Sequence, residues 1–205
     1  MSVEAAPAPQ ADTRSRIVEA AEHLFRDVGY HKTTVADIAR ELRMSPANVY
    51  RFFDSKRAIN EAVAERCTGR MSAAADDILA GPGSAADRLR AILTMVHRSV
   101  VELGTADAKM RDMVEVAMTE SWGVIRAHLD HMERVFVRLV EDGVRAGEFD
   151  AHPEVAGPCI RAAMIRFSHP ALIAQCADMR RPTLEQMIEF VLAALKHRPA
   201  LASAP

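Results

Sequence analysis

A short run of small, amide and basic side chains between Ser45 and Lys56 is the part of the sequence best suited to contact a nucleic acid. An asparagine such as Asn48 can form two hydrogen bonds with adenine, and an arginine such as Arg51 can do the same with guanine or bind a phosphate. Ala47 is small enough to contact a thymine methyl group. The expected chemistry is therefore hydrogen bonding to base edges in a groove about 12 Å wide.

Two predicted helices position these residues. An apolar stripe with spacings of three and four residues predicts the first helix: Val35, Ile38, Ala39 and Leu42. Thr34 is placed to cap it, and Ser45 and Pro46 supply the N-cap and first position of the second helix. The second helix is expected to turn three side chains inward: Val49, Tyr50 and Phe53. Two short helices joined across Arg43 and Met44 indicate a helix-turn-helix.

An earlier apolar stripe predicts a third helix that ends at Gly29: Ile17, Ala20, Ala21, Leu24, Phe25 and Val28. Together, the segment from Arg14 to Ile59 resembles the N-terminal domain of the TetR family of transcriptional regulators. The matching positions run in order along it: Ile17, Ala21, Phe25, Gly29, Thr34, Ile38, Ala39, Ser45, Tyr50, Phe53, Ser55, Lys56 and Ile59. This resemblance covers roughly the first third of the chain.

The turn between the two short helices departs from the family, which usually has glycine where this chain has Arg43. An arginine at positive φ costs about 1 kcal/mol, which leaves open a turn of another conformation. The predicted DNA-binding residues are Thr33, Thr34, Ser45, Pro46, Ala47, Asn48, Tyr50, Arg51, Phe52 and Lys56. Arg43 is not among them, since a solvated side chain explains it equally well.

The composition favours an all-α protein. Hydrophobic residues make up 49% of the 205 residues and charged residues 26%, which is typical of a folded chain, and aromatic residues are scarce. The formal net charge of the whole chain is −2, but residues 40–57 carry five basic side chains and only two acidic ones, Glu41 and Asp54. The basic residues there are Arg40, Arg43, Arg51, Lys56 and Arg57. That local excess fits a DNA-binding segment joined to a more acidic domain.

The sequence predicts a cytoplasmic protein that does not enter a membrane. Its first residues lack the basic region and apolar run of a signal peptide, and no apolar stretch approaches the ~20 residues that span a bilayer. Its cysteines are widely spaced, lack a CxxC pair and are expected to be reduced thiols: Cys67, Cys159 and Cys176. Expected domains are a disordered tail at 1–11, the DNA-binding domain at 12–58, a helical domain at 59–199 and a disordered tail at 200–205.

The remaining two thirds predict a bundle of amphipathic helices. Their approximate ranges are 59–79, 85–103, 106–119, 121–146, 156–176 and 183–197, with Pro158 near the start of the fifth and a break near Ser168 and His169. Thr183 and Gln186 form a candidate capping box. The last helix is apolar on too much of its circumference for one packed face, so it is either fully buried or meets a partner.

The resemblance implies about nine helices and a homodimer formed by the last two helices of each subunit. Such a dimer places its two recognition helices about 34–36 Å apart on a palindromic double-stranded operator, or a multiple of that distance. It also implies that a small-molecule effector in the C-terminal bundle tilts the helix that begins near Ser55 and weakens DNA binding. A ligand-independent DNA-binding protein and an activator remain alternatives. No nucleophile elbow, phosphate loop or HExxH motif is present, so an enzyme is not expected.

The effector and its site are the least determined part. The candidate ligand-binding residues are Met95, His97, Met118, Trp122, His128, Met132, Met164 and His169. Thioethers suit an adaptable apolar pocket, but each methionine alone is better explained as core filling. His128 and His131 share a helix face and, with other histidines and Glu115 or Glu120, would make a divalent metal site. A metal site is less favoured than a pocket in which one or two of these histidines hold an anionic or polar ligand. No cofactor is expected to be required.

Overall fold

The structure, a computed structural model, describes residues 10–104, 116, 118–119, 122–175 and 182–196. These fall into two compact units. The first contains the described residues up to 67 together with 116, 118–119 and 122–125, and the second contains 68–104, 126–175 and 182–196. The domain boundary between residues 58 and 59 stays a prediction. The predicted helix at 106–119 lies mostly outside the described residues.

All regular structure in those ranges is helical, which confirms the all-α prediction. The helices are α1 (Gln10–Asp27), α2 (Val35–Glu41), α3 (Pro46–Tyr50), α4 (Lys56–Ala80), α5 (Ala85–Gly104), α6 (Trp122–Arg145), α7 (Pro153–Ala163), α8 (Ile165–Ser168), α9 (Pro170–Gln175) and α10 (Leu184–Leu195). None of the described helices is long and apolar enough to cross a bilayer.

The first unit is built on the predicted apolar stripes of α1, α2 and α3. Their buried side chains include Ile17, Ala21, Phe25, Val35, Ile38, Ala39, Val49 and Phe53, and α4 adds Ile59 and Val63. The chain leaves α1 through Gly29, whose φ of 104° suits a residue without a Cβ. Val28 does not belong to the buried stripe as predicted, because α1 ends at Asp27 and the Val28 side chain is 40% exposed.

An ion network centred on the buried Glu22 joins α1 to the first half of α4. Glu22 accepts hydrogen bonds from Arg26 at 2.8 Å and lies 3.2 Å from Nε of Arg66. A second carboxylate, Glu19, accepts from Arg66 at 3.0 Å, and the Cys67 thiol donates to Glu22 at 3.8 Å. Because Glu22 is almost fully buried, its charge depends on these partners. The Glu22 carboxylate therefore links α1 to the first half of α4.

The second unit has its own hydrophobic core, formed by the end of α4 with α5, α6, α7, α8 and α10. Close helix contacts require glycine at two positions. A Cβ on Gly143 would lie 2.2 Å from Cδ2 of Phe149, and a Cβ on Gly157 would lie 2.5 Å from Cγ2 of Val137. Glu148 accepts hydrogen bonds from the first backbone amides of α5, at 3.0 and 3.1 Å, and so caps that helix.

Several predicted helix ends are confirmed and two are wrong. Gly147 has a φ of 75° and ends α6, and the capping box of Thr183 and Gln186 is present at α10. The break at His169 is also present, since α8 ends just before it and α9 starts just after it. However, α7 starts at Pro153, because proline at a first helical position needs no donor, and Pro158 lies inside the helix. An additional break at Met164 was not predicted.

Replacing Asn60 with leucine is expected to stabilise the first unit. The Asn60 side chain on α4 is 1% exposed, and neither its amide nitrogen nor its amide oxygen has a hydrogen-bond partner. Removing both unsatisfied groups should raise the free energy of unfolding by about 1–2 kcal/mol, measured by chemical denaturation. Asn60→Asp is the matched control and should lower stability, because it buries a carboxylate. A leucine variant less stable than wild type would contradict this account.

Candidate nucleic-acid interface

The turn between α2 and α3 has the geometry of a glycine-type helix end, although it contains arginine. The Met44 amide donates to the Ala39 carbonyl at 2.9 Å, and the Arg43 amide donates to the Arg40 carbonyl at 3.0 Å. This pair of bonds defines a Schellman motif, which needs a left-handed residue at its penultimate position. Arg43 adopts that conformation with a φ of 53°. The alternative of another turn conformation is therefore wrong.

The first turn of α2 satisfies its own polar groups. The Thr34 hydroxyl accepts from the Asp37 amide at 3.2 Å, and the Thr34 amide donates to the Asp37 carboxylate at 2.9 Å. The Thr34 hydroxyl and amide lower the pKa of Asp37 from its ordinary value. Arg40 donates to the same carboxylate at 2.8 Å. Thr34 is exposed, but its hydroxyl and amide already have partners within the helix.

The exposed face of α3 is the centre of the candidate interface. Ser45 accepts from the Asn48 amide at 3.3 Å and so begins the helix, as predicted. Val49 and Phe53 are buried and anchor the helix to the unit. The side chains left exposed around it are Ser45, Pro46, Ala47, Tyr50 and Arg51. These are small, polar, aromatic and basic groups that can enter a DNA groove.

Two aromatic positions differ from the prediction. Tyr50 was expected to point inward but is 53% exposed, whereas Phe52, expected to face outward, is half-buried. The reason is that Val49 takes the inward position of the last helical turn, and the next inward position, four residues later, is Phe53. The phenol of Tyr50 is therefore available for contacts outside the protein.

Asn48 and Lys56 are less exposed than the prediction assumed. Asn48 is half-buried, and its amide nitrogen lies 3.8 Å from the Met44 sulfur. Lys56 begins α4, and its ammonium lies 4.0 Å from the ring centroid of Tyr30. Partial burial lowers the pKa of Lys56 from its ordinary value. The preceding Ser55 accepts from the Ala58 amide at 3.1 Å, which caps α4.

Thr33 is a correction to the predicted interface. Its side chain is 1% exposed, and its hydroxyl donates to the Gly29 carbonyl at 2.8 Å. A buried hydroxyl with a partner at the end of α1 positions the loop before α2 and does not reach DNA. Lys32, next to it, is exposed and was not among the predicted residues. Its only sequence signal is a positive charge two residues before the N-cap of α2.

The predicted ligand-binding residues are distributed over both units. Met118 and Trp122 belong to the first unit, and the other six belong to the second. Met132 and Met164 are buried in the core of the second unit, with Met95 packed against it. Met132 and Met164 therefore contribute to the core packing, and their role in binding a ligand stays a prediction.

The histidines of the second unit each have a distinct environment. Nδ1 of His97 lies 2.8 Å from the Phe167 carbonyl oxygen, and Nε2 of His131 lies 3.1 Å from the Asp76 carboxylate. Nδ1 of His169 is buried without a hydrogen-bond partner. Among the described residues no three histidine, cysteine or acidic side chains lie close enough to hold a metal ion. Glu115 and Glu120 lie outside those residues.

His128 is the most strongly perturbed of these groups. Its Nδ1 lies 3.0 Å from the Ser72 hydroxyl, which ties α6 to the second half of α4. Burial, together with the neighbouring charge of His131, lowers the pKa of His128 to about 4. The imidazole of His128 is therefore neutral at pH 7, and it forms its hydrogen bond with Ser72 in that state.

The fold and the exposed helix after a tight turn define a helix-turn-helix transcription regulator. A family model of bacterial regulatory proteins of the tetR family matches residues 17–63, and a model of tetracyclin repressor-like C-terminal domains matches residues 85–191. The chain belongs to the TetR family of bacterial regulatory proteins.

Curated relatives match a short part of the chain in sequence, and solved structures match most of it in fold. IcaR of Staphylococcus aureus strain Newman, the negative transcriptional regulator of the biofilm operon icaADBC, is 37% identical over 26% of this chain and 29% of its own. The transcriptional regulator UidR of Escherichia coli K12 is 35% identical over 31% of this chain and 30% of its own. The chain thus matches about three tenths of these curated relatives' length.

A solved structure covers more of the chain. The choline complex of a regulator from Saccharomonospora viridis superimposes with a TM-score of 0.64 over 92% of this chain and 97% of its own, at 21% identity. At that identity the likeness establishes the fold alone.

Acid should destabilise the second unit through His128. Because its folded pKa lies below the ordinary value of 6.5, the contribution is fully present above pH 6.5 and is lost as pH falls towards 4. The loss should reach about 3 kcal/mol near pH 4, relative to a His128→Gln variant that keeps a polar side chain but does not titrate. Chemical denaturation at several pH values measures this difference. An NMR titration giving His128 a pKa near 6.5 would refute it.

Proposed function

We propose that the protein is a homodimeric transcriptional repressor that binds double-stranded DNA through α3. The observation that carries this proposal is the exposed face of α3, held by the buried Val49 and Phe53 within the segment that matches the family's DNA-binding domain. Repression is favoured because IcaR, which is 37% identical to this chain over 54 residues, is a negative regulator.

Arg51 is the side chain on which the proposal depends most. It is exposed directly after α3, and within the described residues its guanidinium forms no ion pair. An arginine there can form two hydrogen bonds with guanine or bind a phosphate. Arg40 provides a contrast, because its guanidinium is already paired with Asp37 at 2.8 Å.

Dimerisation is proposed through the exposed face of α10. One face of that helix is buried in its own subunit: Ile188, Val191, Leu192 and Leu195. Glu185 and Glu189 are paired with Arg90 of α5. A third face exposes Phe190, whose side chain is 68% exposed, followed one turn later by the exposed Ala193 and Ala194. A large exposed aromatic beside small residues suits helix packing against a second subunit.

Release by a small molecule is proposed to act in the second unit. The supporting feature is Nδ1 of His169, which is buried and has no hydrogen-bond partner. His169 lies two residues after Phe167, and the carbonyl oxygen of Phe167 lies 2.8 Å from Nδ1 of His97. A buried, unsatisfied imidazole nitrogen favours a polar ligand group at this point. The ligand must bind the released state more tightly than the DNA-bound state. Adding candidate compounds to the DNA-binding assay below tests release.

Arg51→Ala should weaken specific DNA binding at least tenfold, since each good arginine contact contributes about 1–3 kcal/mol and a dimer loses it twice. The measurement is fluorescence anisotropy with a duplex that the wild-type chain selects from a random library. Arg40→Ala is the matched control and should change binding little, because Arg40 is paired with Asp37. Equal affinity of wild type and Arg51→Ala would remove α3 from the interface.

Phe190→Glu should convert the dimer into monomers, because it places a charge in an apolar interface that is otherwise desolvated. Sedimentation velocity measures the mass of each species, and DNA binding by the variant should fall in parallel. Val28→Glu adds the same charge at an exposed apolar position of the first unit and should leave the dimer intact. A monomeric wild type, or a dimeric Phe190→Glu variant, would rule out this interface.

A further inference from the structure

Arg43 occupies a backbone conformation that the chain otherwise gives to glycine. Among the described residues, positive φ values occur at Gly29, Gly83 and Gly147 and at this single non-glycine position. The end of α6 shows the same hydrogen-bonding pattern with glycine: the Glu148 amide donates to the Gly143 carbonyl at 2.8 Å, and Gly147 has a φ of 75°. A left-handed arginine is less stable than glycine in such a motif because its Cβ crowds the following carbonyl.

The backbone hydrogen bonds of the motif hold Arg43 in this conformation, but no contact of its side chain in the described part of the protein offsets the strain. The Arg43 side chain is exposed, and in the described ranges its guanidinium forms no hydrogen bond or ion pair. Asp37, an acidic neighbour on α2, is bonded to Thr34 and Arg40. Strained residues that persist without an internal compensating contact occur most often at functional sites.

The position of Arg43 suggests its partner. It lies at the end of α2 and two residues before Ser45, the N-cap of α3, so its charge is next to the end of the helix whose exposed face forms the candidate interface. Because Arg43 lies in the turn and not in α3, its side chain is expected to lie at the edge of the DNA groove that α3 enters. Phosphates line both edges of the groove, and a planar guanidinium binds a phosphate through two parallel hydrogen bonds.

We propose that Arg43 binds a DNA phosphate beside α3, and that the strain at φ 53° is retained for this contact. The inference rests on the proposed DNA-binding function and adds a residue to it. It predicts that one substitution changes stability and DNA affinity in opposite directions. Arg43→Gly relieves the strain and should raise the melting temperature of the protein by several degrees, yet it removes the phosphate contact.

A purely structural role makes a different prediction. A cation at the C-terminal end of α2 interacts favourably with the helix dipole, and that interaction would stabilise the domain without contacting DNA. Arg43→Ala separates the two roles, because it keeps the Cβ and the strain while removing the charge. Arg43→Lys keeps both the strain and the charge.

The experiment measures DNA affinity against salt concentration for wild type and the three variants, using the full chain and a duplex that wild type selects from a random library. With one phosphate contact in each subunit, Arg43→Gly and Arg43→Ala should bind about tenfold more weakly near 0.1 M salt. The slope of log affinity against log salt should fall by about two for the dimer. Arg43→Lys should keep most of the slope. Only Arg43→Gly should melt at a higher temperature than wild type.

The possible failures are distinguishable. If wild type selects no duplex, the proposed function fails, and this inference fails with it. If wild type binds DNA but Arg43→Gly and Arg43→Ala keep its affinity and salt slope, the phosphate contact is overturned while the proposed function stands. A lower melting temperature of Arg43→Ala, with unchanged DNA binding, would assign the charge to the helix dipole instead.

Discussion

A five-residue helix is not stable in water by itself, because the few backbone hydrogen bonds it forms do not offset the entropy of ordering it. The helix α3, from Pro46 to Tyr50, has that length. It exists because Ser45 caps one end and because Val49 and Phe53 are buried beneath it. Those two anchors leave no freedom to rotate the helix. Their burial therefore decides which side chains, Tyr50 and Arg51 among them, face outward.

The rest of the first unit holds this short helix in place. The Schellman end of α2 directs the chain into α3, and the buried Thr33 hydroxyl fixes the loop that leads into α2. Behind them, the buried Glu22 joins α1 to the partly exposed Arg66 of α4 through an ion pair. Such an ion pair orients the two helices but adds little net stability, because the desolvation of Glu22 offsets much of the Coulomb attraction.

In the second unit, the helices pack closely against neighbouring side chains at two glycines. Gly143 and Gly157 allow the Phe149 ring and the Val137 side chain to approach a helix backbone. The polar groups that remain inside, such as His128 beside Ser72 and the unpartnered Nδ1 of His169, are then costly. Protonation of His128, whose pKa burial lowers, would therefore disturb this packing.

Sequence periodicity predicted α1, α2, α4 and most helix ends, because caps and apolar stripes are local properties. It placed Tyr50 inward and Phe52 outward, and both were wrong. It also started α7 too late, at the wrong proline. The error at Tyr50 has a clear cause: where a helix is only one or two turns long, periodicity allows more than one rotation, and only the packing of neighbouring helices selects one. Phe53 is the residue that selects the rotation of α3.

For the candidate site, the sequence by itself determined the class of interface, since the caps, the stripes and the basic residues between 40 and 57 are all local. It could not separate Thr33, which is buried, from its neighbour Thr34, which is exposed. Nor could it show that the turn keeps a left-handed arginine, because the energetic preference for glycine is only about 1 kcal/mol. The tertiary structure decided these points, since burial and backbone conformation depend on how α1, α2 and α3 pack against one another.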